Sequence, residues 1–388
     1  MKTTNMTLAV RATTAAMILG TAGQANAVDF TAGSVEGSVY GFARVAASYD
    51  LDEDINPGGG RAANFSGITT GNADTSSGHF GMDTTTSRLG LSVTTPQDLK
   101  IVMETDFEGD NGDGAKIRLR KAYGEYKGVL VGRTWSNYNS FVAFSPTLDF
   151  DAMPGATGTF FRTEQIRYTS GPVSVSLEEP IVLGGGVEGG TDKTASPVLT
   201  AKLADSMEGL SYATGVMAKQ TAFDNASSNT PANTDDDSAI GYGAFVAANM
   251  ALTDAFSVNV TMNYADGANS YVYRAGGAFG QPDAYVDGGE VETIEAYAGT
   301  LGATMDFGGG QSVNAGYGTA TSDLDDAVSA GALDPTDTDT NTMVFVNYKW
   351  TPVENVTMGV EFANLETETQ GGNDGDANRL MYLAQYSF

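Results

Sequence analysis

Half of the chain's twenty basic residues fall in about a fifth of its length: Arg88, Lys100, Lys116, Arg118, Arg120, Lys121, Lys127, Arg133, Arg162 and Arg167. Guanidinium groups suit carboxylates and phosphates, because a planar fork of donors matches their oxygens. Acids interleave with these cations, Glu104 and Asp106 before the last of them and Asp149 and Asp151 between Arg133 and Arg162. Opposed charges in this pattern select and orient small ions without making bonds. Covalent or acid–base catalysis would need a constellation that is missing, since His79 is the single histidine and nothing pairs with it by spacing. With no cysteine there is no disulfide framework and no thiolate metal site. The stretch DFEGDNGDG at 106–114 invites a calcium reading, but an EF-hand begun at Asp106 needs Gly at 111 and Glu at 117, where Asn111 and Ile117 stand. No metal site is expected, which leaves weak Ca2+ or Mg2+ binding at the acidic loops as the one cofactor reading. A net charge of −28 excludes nucleic acid, whose phosphates call for clustered Lys and Arg over a whole face.

The elements that position these groups are strands. About sixteen strand-like runs lie near 36–49, 80–95, 99–108, 115–126, 129–135, 161–170, 173–183, 197–205, 209–220, 239–250, 255–265, 291–307, 311–320, 341–350, 355–366 and 378–388. Every second joint is a brief turn, such as Lys127-Gly128 or Gly171-Pro172, and the alternate joints are long and rich in Asp, Gly, Asn and Ser. An even strand count with alternating short and long joints is the pattern of a closed outer-membrane barrel. No run of about 18 apolar residues offers a spanning helix. At the front, Lys2 and Arg11 precede an apolar run, and Ala25-Asn26-Ala27 presents small residues where a signal peptidase reads, so residues 1–27 are expected to be a signal peptide cleaved after Ala27. Its loss removes two positive charges and no acid, taking the net charge from −28 to −30. At the other end Leu380, Tyr382, Ala384, Tyr386 and Phe388 share one face, and Tyr386 with Phe388 resembles the signal by which such barrels are recognised for assembly.

Alternation supports the same fold. Phe256, Val258, Val260, Met262 and Tyr264 oppose Ser257, Asn259, Thr261 and Asn263, and Val356, Met358, Val360 and Phe362 oppose Thr357, Gly359, Glu361 and Ala363. Polar faces of this kind line water, so the apolar faces meet lipid. Tyr242, Tyr264, Tyr348, Trp350, Tyr382 and Phe388, near strand ends, are expected at the membrane interfaces. Sixteen strands enclose an aqueous channel unless something folds into it. Residues 136–160, with Phe141, Phe144, Pro146, Phe150 and Pro154, are expected to be that constriction loop. Parity turns Arg88, Arg118 and Arg120 into the lumen, and Arg133 and Arg162 flank the loop, with Arg162 preferred over Arg167. These five form an expected basic wall, faced by Asp149 and Asp151 on the loop and by Glu104 and Asp106. A unit charge about 8 Å from an ion contributes roughly 0.5 kcal/mol in water and about 2 at an effective dielectric near 20, so a few arginines bias passage about tenfold.

Three segments, with the last residue, carry a family resemblance. GRTWSNYNSF at 132–141 with FRTEQIRYTSGPVSV at 161–175 and Phe388 resembles the trimeric porins of Gram-negative bacteria, and RLRKAYGEY at 118–126 with LVGRTWS at 130–136 is most similar to the DcaP-like outer-membrane porins. The resemblance implies an all-β, 16-stranded antiparallel barrel over residues 28–388, a homotrimer, and a third loop folded into the lumen. It further implies partners in outer-membrane lipid and lipopolysaccharide, the barrel assembly machinery and periplasmic chaperones, and small anionic solutes such as dicarboxylates. Alternatives are a non-specific or cation-leaning diffusion porin and, from another class, a plugged structural or adhesive barrel.

Overall fold

The computed structural model describes residues 27–55, 59–71, 75–109, 116–189, 191–194, 196–224 and 237–388. Residues 1–26 of the expected leader (1–27), including Ala25, lie outside them, as do Asp110, Asp113, Asp235 and Asp236 of the acidic stretches. Sixteen strands form the main sheet: β1 (Val35–Asp50), β2 (His79–Asp83 with Arg88–Thr94), β3 (Lys100–Asp106), β4 (Arg118–Tyr126), β5 (Val129–Trp135), β6 (Arg162–Ser170), β7 (Val173–Glu178), β8 (Val198–Met207), β9 (Leu210–Asp224), β10 (Asp237–Ala251), β11 (Phe256–Asp266), β12 (Glu295–Gly308), β13 (Gln311–Ser322), β14 (Thr338–Val353), β15 (Val356–Thr369) and β16 (Asp374–Ser387). Each pairs antiparallel with the next, and β1 pairs with β16 from Phe42↔Ser387 to Asp50↔Arg379, closing the barrel. At the last of these rungs Arg379 Nε lies 2.5 Å and Nη2 2.8 Å from the carboxylate of Asp50, and both side chains are buried.

Burial shows which face is which. On β11 Met262 is 64% exposed while its neighbour Asn263 is 4% exposed, the reverse of a soluble core. Water would withhold about 1.5–3 kcal/mol from each such apolar side chain; a bilayer supplies the missing apolar surroundings. Aromatic pairs stand near strand ends, with Tyr348 and Trp350 stacked at 5.5 Å and Tyr242 and Tyr264 at 6.3 Å. Short turns join the strands at one end. Lys127 and Gly128 (φ 49° and 81°) make one of them, with the left-handed backbone whose twist suits a tight hairpin.

Differences from the expected strands have local causes. The second run is broken after Asp83, whose carboxylate accepts from the Thr85 amide (2.9 Å) and hydroxyl (3.0 Å) and so competes with the ladder. The seventh stops at Glu178, short of 183, because that side chain turns to the loop in the lumen. Glu290–Thr293 does not extend β12; it pairs with Ala284–Asp287, which pairs in parallel with Val187–Glu188, in a small sheet of loop residues. A further short strand, Val28–Ala32, folds back on Val35–Val39.

Candidate functional site

Residues 136–160, hereafter L3, leave β5 and cross the lumen, held by inward-facing side chains of the wall. At the root, Glu178 on β7 accepts from the Ser136 hydroxyl and the Asn137 amide, both at 2.6 Å. Farther along, Glu361 on β15 accepts from the Thr147 hydroxyl (2.7 Å), the Leu148 amide (2.7 Å) and Asn347 Nδ2 (2.8 Å). Asn347 also donates to Pro146 O at 2.9 Å, Thr261 to Gly155 O at 2.9 Å, and Asn263 to Ala156 O at 3.2 Å. The polar face read as water-lining thus holds a loop. Room for it comes from glycines: a Cβ at Gly302 would sit 2.2 Å from Ser145 Oγ, and one at Gly359 would sit 2.9 Å from a Leu148 methyl.

In strand order, between the Glu361 clamp on β15 and the Glu178 clamp on β7, stands the basic wall of β2, β3 and β4. Arg118 forks onto Asp106 (3.0 and 2.7 Å) and reaches Glu108 at 2.5 Å. Arg120 binds Glu104 at 3.2 Å and Asp106 at 2.6 Å, Lys121 binds Glu104 at 2.9 Å, and Arg88 lies 3.4 Å from Glu104. Arg120 and Lys121 both point inward because a bulge there gives two residues to one rung, Lys121↔Glu104 being followed by Leu119↔Thr105. Glu104 and Asp106 therefore belong to the basic wall itself, and the expected arrangement of a cationic side against an acidic one is corrected: the cations are mostly paired where they stand.

The loop acids also differ from expectation. Asp149 is buried and accepts from the Ala63 and Asp151 amides, both at 2.8 Å, so it fastens L3 to the loop after β1. Burial pushes its carboxyl above the ordinary range, against the pull of Arg274. Asp151 faces Arg61 at 3.3 Å, and the same arginine meets Glu108 at 2.5 Å. What L3 presents to the basic wall is Phe150, whose ring Arg120 of that wall approaches at 5.8 Å and Arg44 of β1 at 5.5 Å.

Arg133 is placed elsewhere altogether. It shares the outer face of β5 with Val129 and Val131 and pairs at 2.8 Å with Glu164, which stands with Ile166 on the outer face of β6. The strand's parity carried this information, and nearness to L3 in sequence overrode it. Arg162 and Arg167 both turn inward. Arg167 sits on the lumen face of β6 beside Gln165, and Arg162 occupies the last rung, Trp135↔Arg162, where the ladder gives way to L3. Its guanidinium lies 4.4 Å from the centre of the Trp135 ring, which Arg120 approaches at 6.0 Å. Among the described residues Arg162 makes no ion pair.

Among the described residues the loops after β1 and β11 also pack against L3, beyond the single loop expected in the lumen. In the loop after β11, Tyr271 and Arg274 are fully buried, and Arg274 lies 5.0 Å from the Phe65 ring of the loop after β1. Phe141 and Phe160 of L3 pack edge-on to Trp135, and Phe160 meets Tyr273 at 5.2 Å. The signal for this was present as the run Tyr271-Val272-Tyr273-Arg274, too apolar for a loop in solvent. Among the described residues no three potential ligands gather as a metal site. His79 is half-exposed at the rim, its Nε2 2.8 Å from Ser76 O.

Comparison with known proteins agrees with this architecture. The profile described as DcaP outer membrane protein matches residues 21–388, covering the later strands as well as the segments that carry the sequence motifs. No curated protein matches the chain in sequence. Among solved structures, the chain is similar to the outer membrane channel DcaP of Acinetobacter baumannii, at 26% identity over 92% of this chain and 99% of that one, with a TM-score of 0.76. An anion-selective porin from Comamonas acidovorans (13% identity, 91% and 100% covered, TM-score 0.59) and the trimer form of OmpT of Vibrio cholerae (13%, 92% and 100%, 0.52) share the fold. A closed barrel with an apolar exterior, a loop-crossed and charge-lined lumen, and a family match over nearly its whole length together make the chain an outer-membrane porin, a channel and not an enzyme, belonging to the DcaP outer membrane protein family.

Proposed function

We propose that this porin passes small hydrophilic anions, dicarboxylates among them, by passive diffusion. The observation that carries the reading is Arg162, an inward guanidinium with an aromatic platform and no ion-pair partner among the described residues, beside a wall whose other arginines are already partnered. An approaching carboxylate meets in it a fork of donors not yet engaged, in a lumen narrowed by L3 where dielectric screening is reduced. The test is the reversal potential of the purified protein in a planar bilayer under a potassium chloride gradient. Chloride preference, with chloride current lowered by added succinate in wild type and not in Arg162→Ala, is the expected result. Preference for potassium would leave a general diffusion porin, and absence of current would point to a plugged barrel.

The working unit is proposed to be a homotrimer. Arg133 and Glu164 support this: a charged pair four residues above the Val129 turn, among apolar neighbours on the outer wall, is costly against lipid and at home against another subunit.

A further inference from the structure

The wall of β2 to β4 is rich in cations but closely matched by Glu104, Asp106 and Glu108. Besides Arg162, four inward cations are, among the described residues, bonded only to neutral groups or to nothing. Arg44 Nη2 donates to Leu148 O at 2.8 Å, and its buried Nε has no partner. Arg167 donates to Trp135 O at 2.5 Å and to Gln165 Oε1 at 2.9 Å. Lys202 donates to Asn139 O at 2.9 Å. Lys349 has no hydrogen bond or ion pair among the described residues, and it lies in electrostatic reach of Arg44 and Glu361.

Three of the four occupy equivalent places. Lys349 is two residues nearer the short-turn end of β14 than Asn347, which holds Pro146; Lys202 stands likewise below Thr200, which holds Asn137; Arg167 stands likewise below Gln165, which reaches Trp135 O. They stand on the periplasmic side of the residues that hold L3, Arg167 within electrostatic reach of Lys202 and Arg44 within reach of Lys349. The carboxylates in reach, Glu361 and Glu178, each already accept three hydrogen bonds. Uncompensated cations in a confined lumen are costly until an anion joins them.

We propose that Arg44, Arg167, Lys202 and Lys349 form an anion-binding station on the periplasmic side of L3, separate from the arginine wall, and that this station sets most of the channel's preference for anions. The ligand class is a small anion, chloride or a carboxylate, taken up after it has passed L3. The inference rests on the anion reading above, and one experiment separates their failures.

The experiment is the chloride-to-potassium permeability ratio, from reversal potentials, of the full barrel carrying Lys349→Gln, Lys202→Gln with Lys349→Gln, the matching Arg pair, or Arg88→Gln. Lys349 holds no part of L3, so its variant reads charge alone. Wild type is expected to favour chloride, each Gln to lower the ratio by about twofold or more, the Arg pair to keep it, and Arg88→Gln to change it less than Lys349→Gln does. A wild type that favours chloride with a ratio unmoved in both Gln variants would overturn the station while sparing the anion reading. A wild type that favours potassium would overturn both. A ratio that falls with Arg88→Gln more than with the double Gln variant would return selectivity to the wall.

Discussion

Asp149 shows how a side chain chosen for one role is used for another. Read as a charge facing the pore, it is instead an acceptor for two amides, that of Ala63, which ties L3 to the loop after β1, and that of Asp151 within L3. Its carboxyl is raised by burial, so its contribution favours the folded state where it is protonated: complete below the ordinary carboxylate range, and lost as pH rises through its own raised value. Above that value the buried carboxylate costs stability. Asp149→Asn keeps the acceptor for Ala63 and sets its amide nitrogen against the Asp151 N–H, so the pH trend is what it tests: its unfolding temperature relative to wild type is expected to fall as pH is lowered from 7 through the raised value of Asp149, as followed by heat-modified gel migration. Asp149→Ala should be less stable by about 1–3 kcal/mol through unpaired amides. At this scale parity made faces legible and partners illegible. Arg88, Arg118 and Arg120 turn inward as alternation requires, but alternation along one strand is silent on what the neighbouring strand sets opposite, and so Glu104 and Asp106 were placed across the pore and not within the wall. Lys121 needed a bulge that no residue type announced.

L3 is the element on which the channel depends, and its hold is concentrated in two carboxylates. Glu361→Gln exchanges one acceptor oxygen for a donor facing groups that themselves donate, which should free the segment around Thr147 and Leu148. Single-channel records are expected to show frequent brief closures and a broader conductance distribution than wild type; records as quiet as wild type would mean that the loop is held elsewhere. The loop was legible because aromatic and proline residues are out of place in a solvated connection, and the strands were legible because period-two alternation runs through each of them. Less legible were the glycines at Gly302, Gly316, Gly318 and Gly359, which read as ordinary strand residues until Ser145, Met153, Pro154 and Leu148 are seen resting on them. Strand ends were missed where a local hydrogen bond, as at Asp83, or a pairing within a loop, as at Glu290–Thr293, outcompeted the ladder.

For the whole molecule, the barrel class follows from joint lengths and face alternation, which constrain topology across the entire chain. Assembly is less readable, because a subunit interface on a lipid-facing wall is apolar like the wall itself. Arg133 and Glu164 are the exception, and they separate the proposed trimer from selectivity. Arg133→Ala should leave the permeability ratio unchanged and shift native gel migration and light scattering in mild detergent from trimer towards monomer, since Glu164 is then left as a bare charge on the outer face. A trimer as resistant as wild type would place the interface on other strands.

The buried pair at the Asp50↔Arg379 rung bears on a different problem, the seam of a cylinder. When a sheet closes on itself, sliding β16 by two residues along β1 keeps every apolar side chain outward and every polar one inward, so hydrophobic patterning cannot forbid it. Such a slip would change the stagger of the whole wall and strand two buried charges, at a cost of about 3–5 kcal/mol. Asp50 and Arg379 therefore act as a registration mark: they fix the tilt of all sixteen strands, and with it the bore of the channel, from a single rung where the chain's two ends meet.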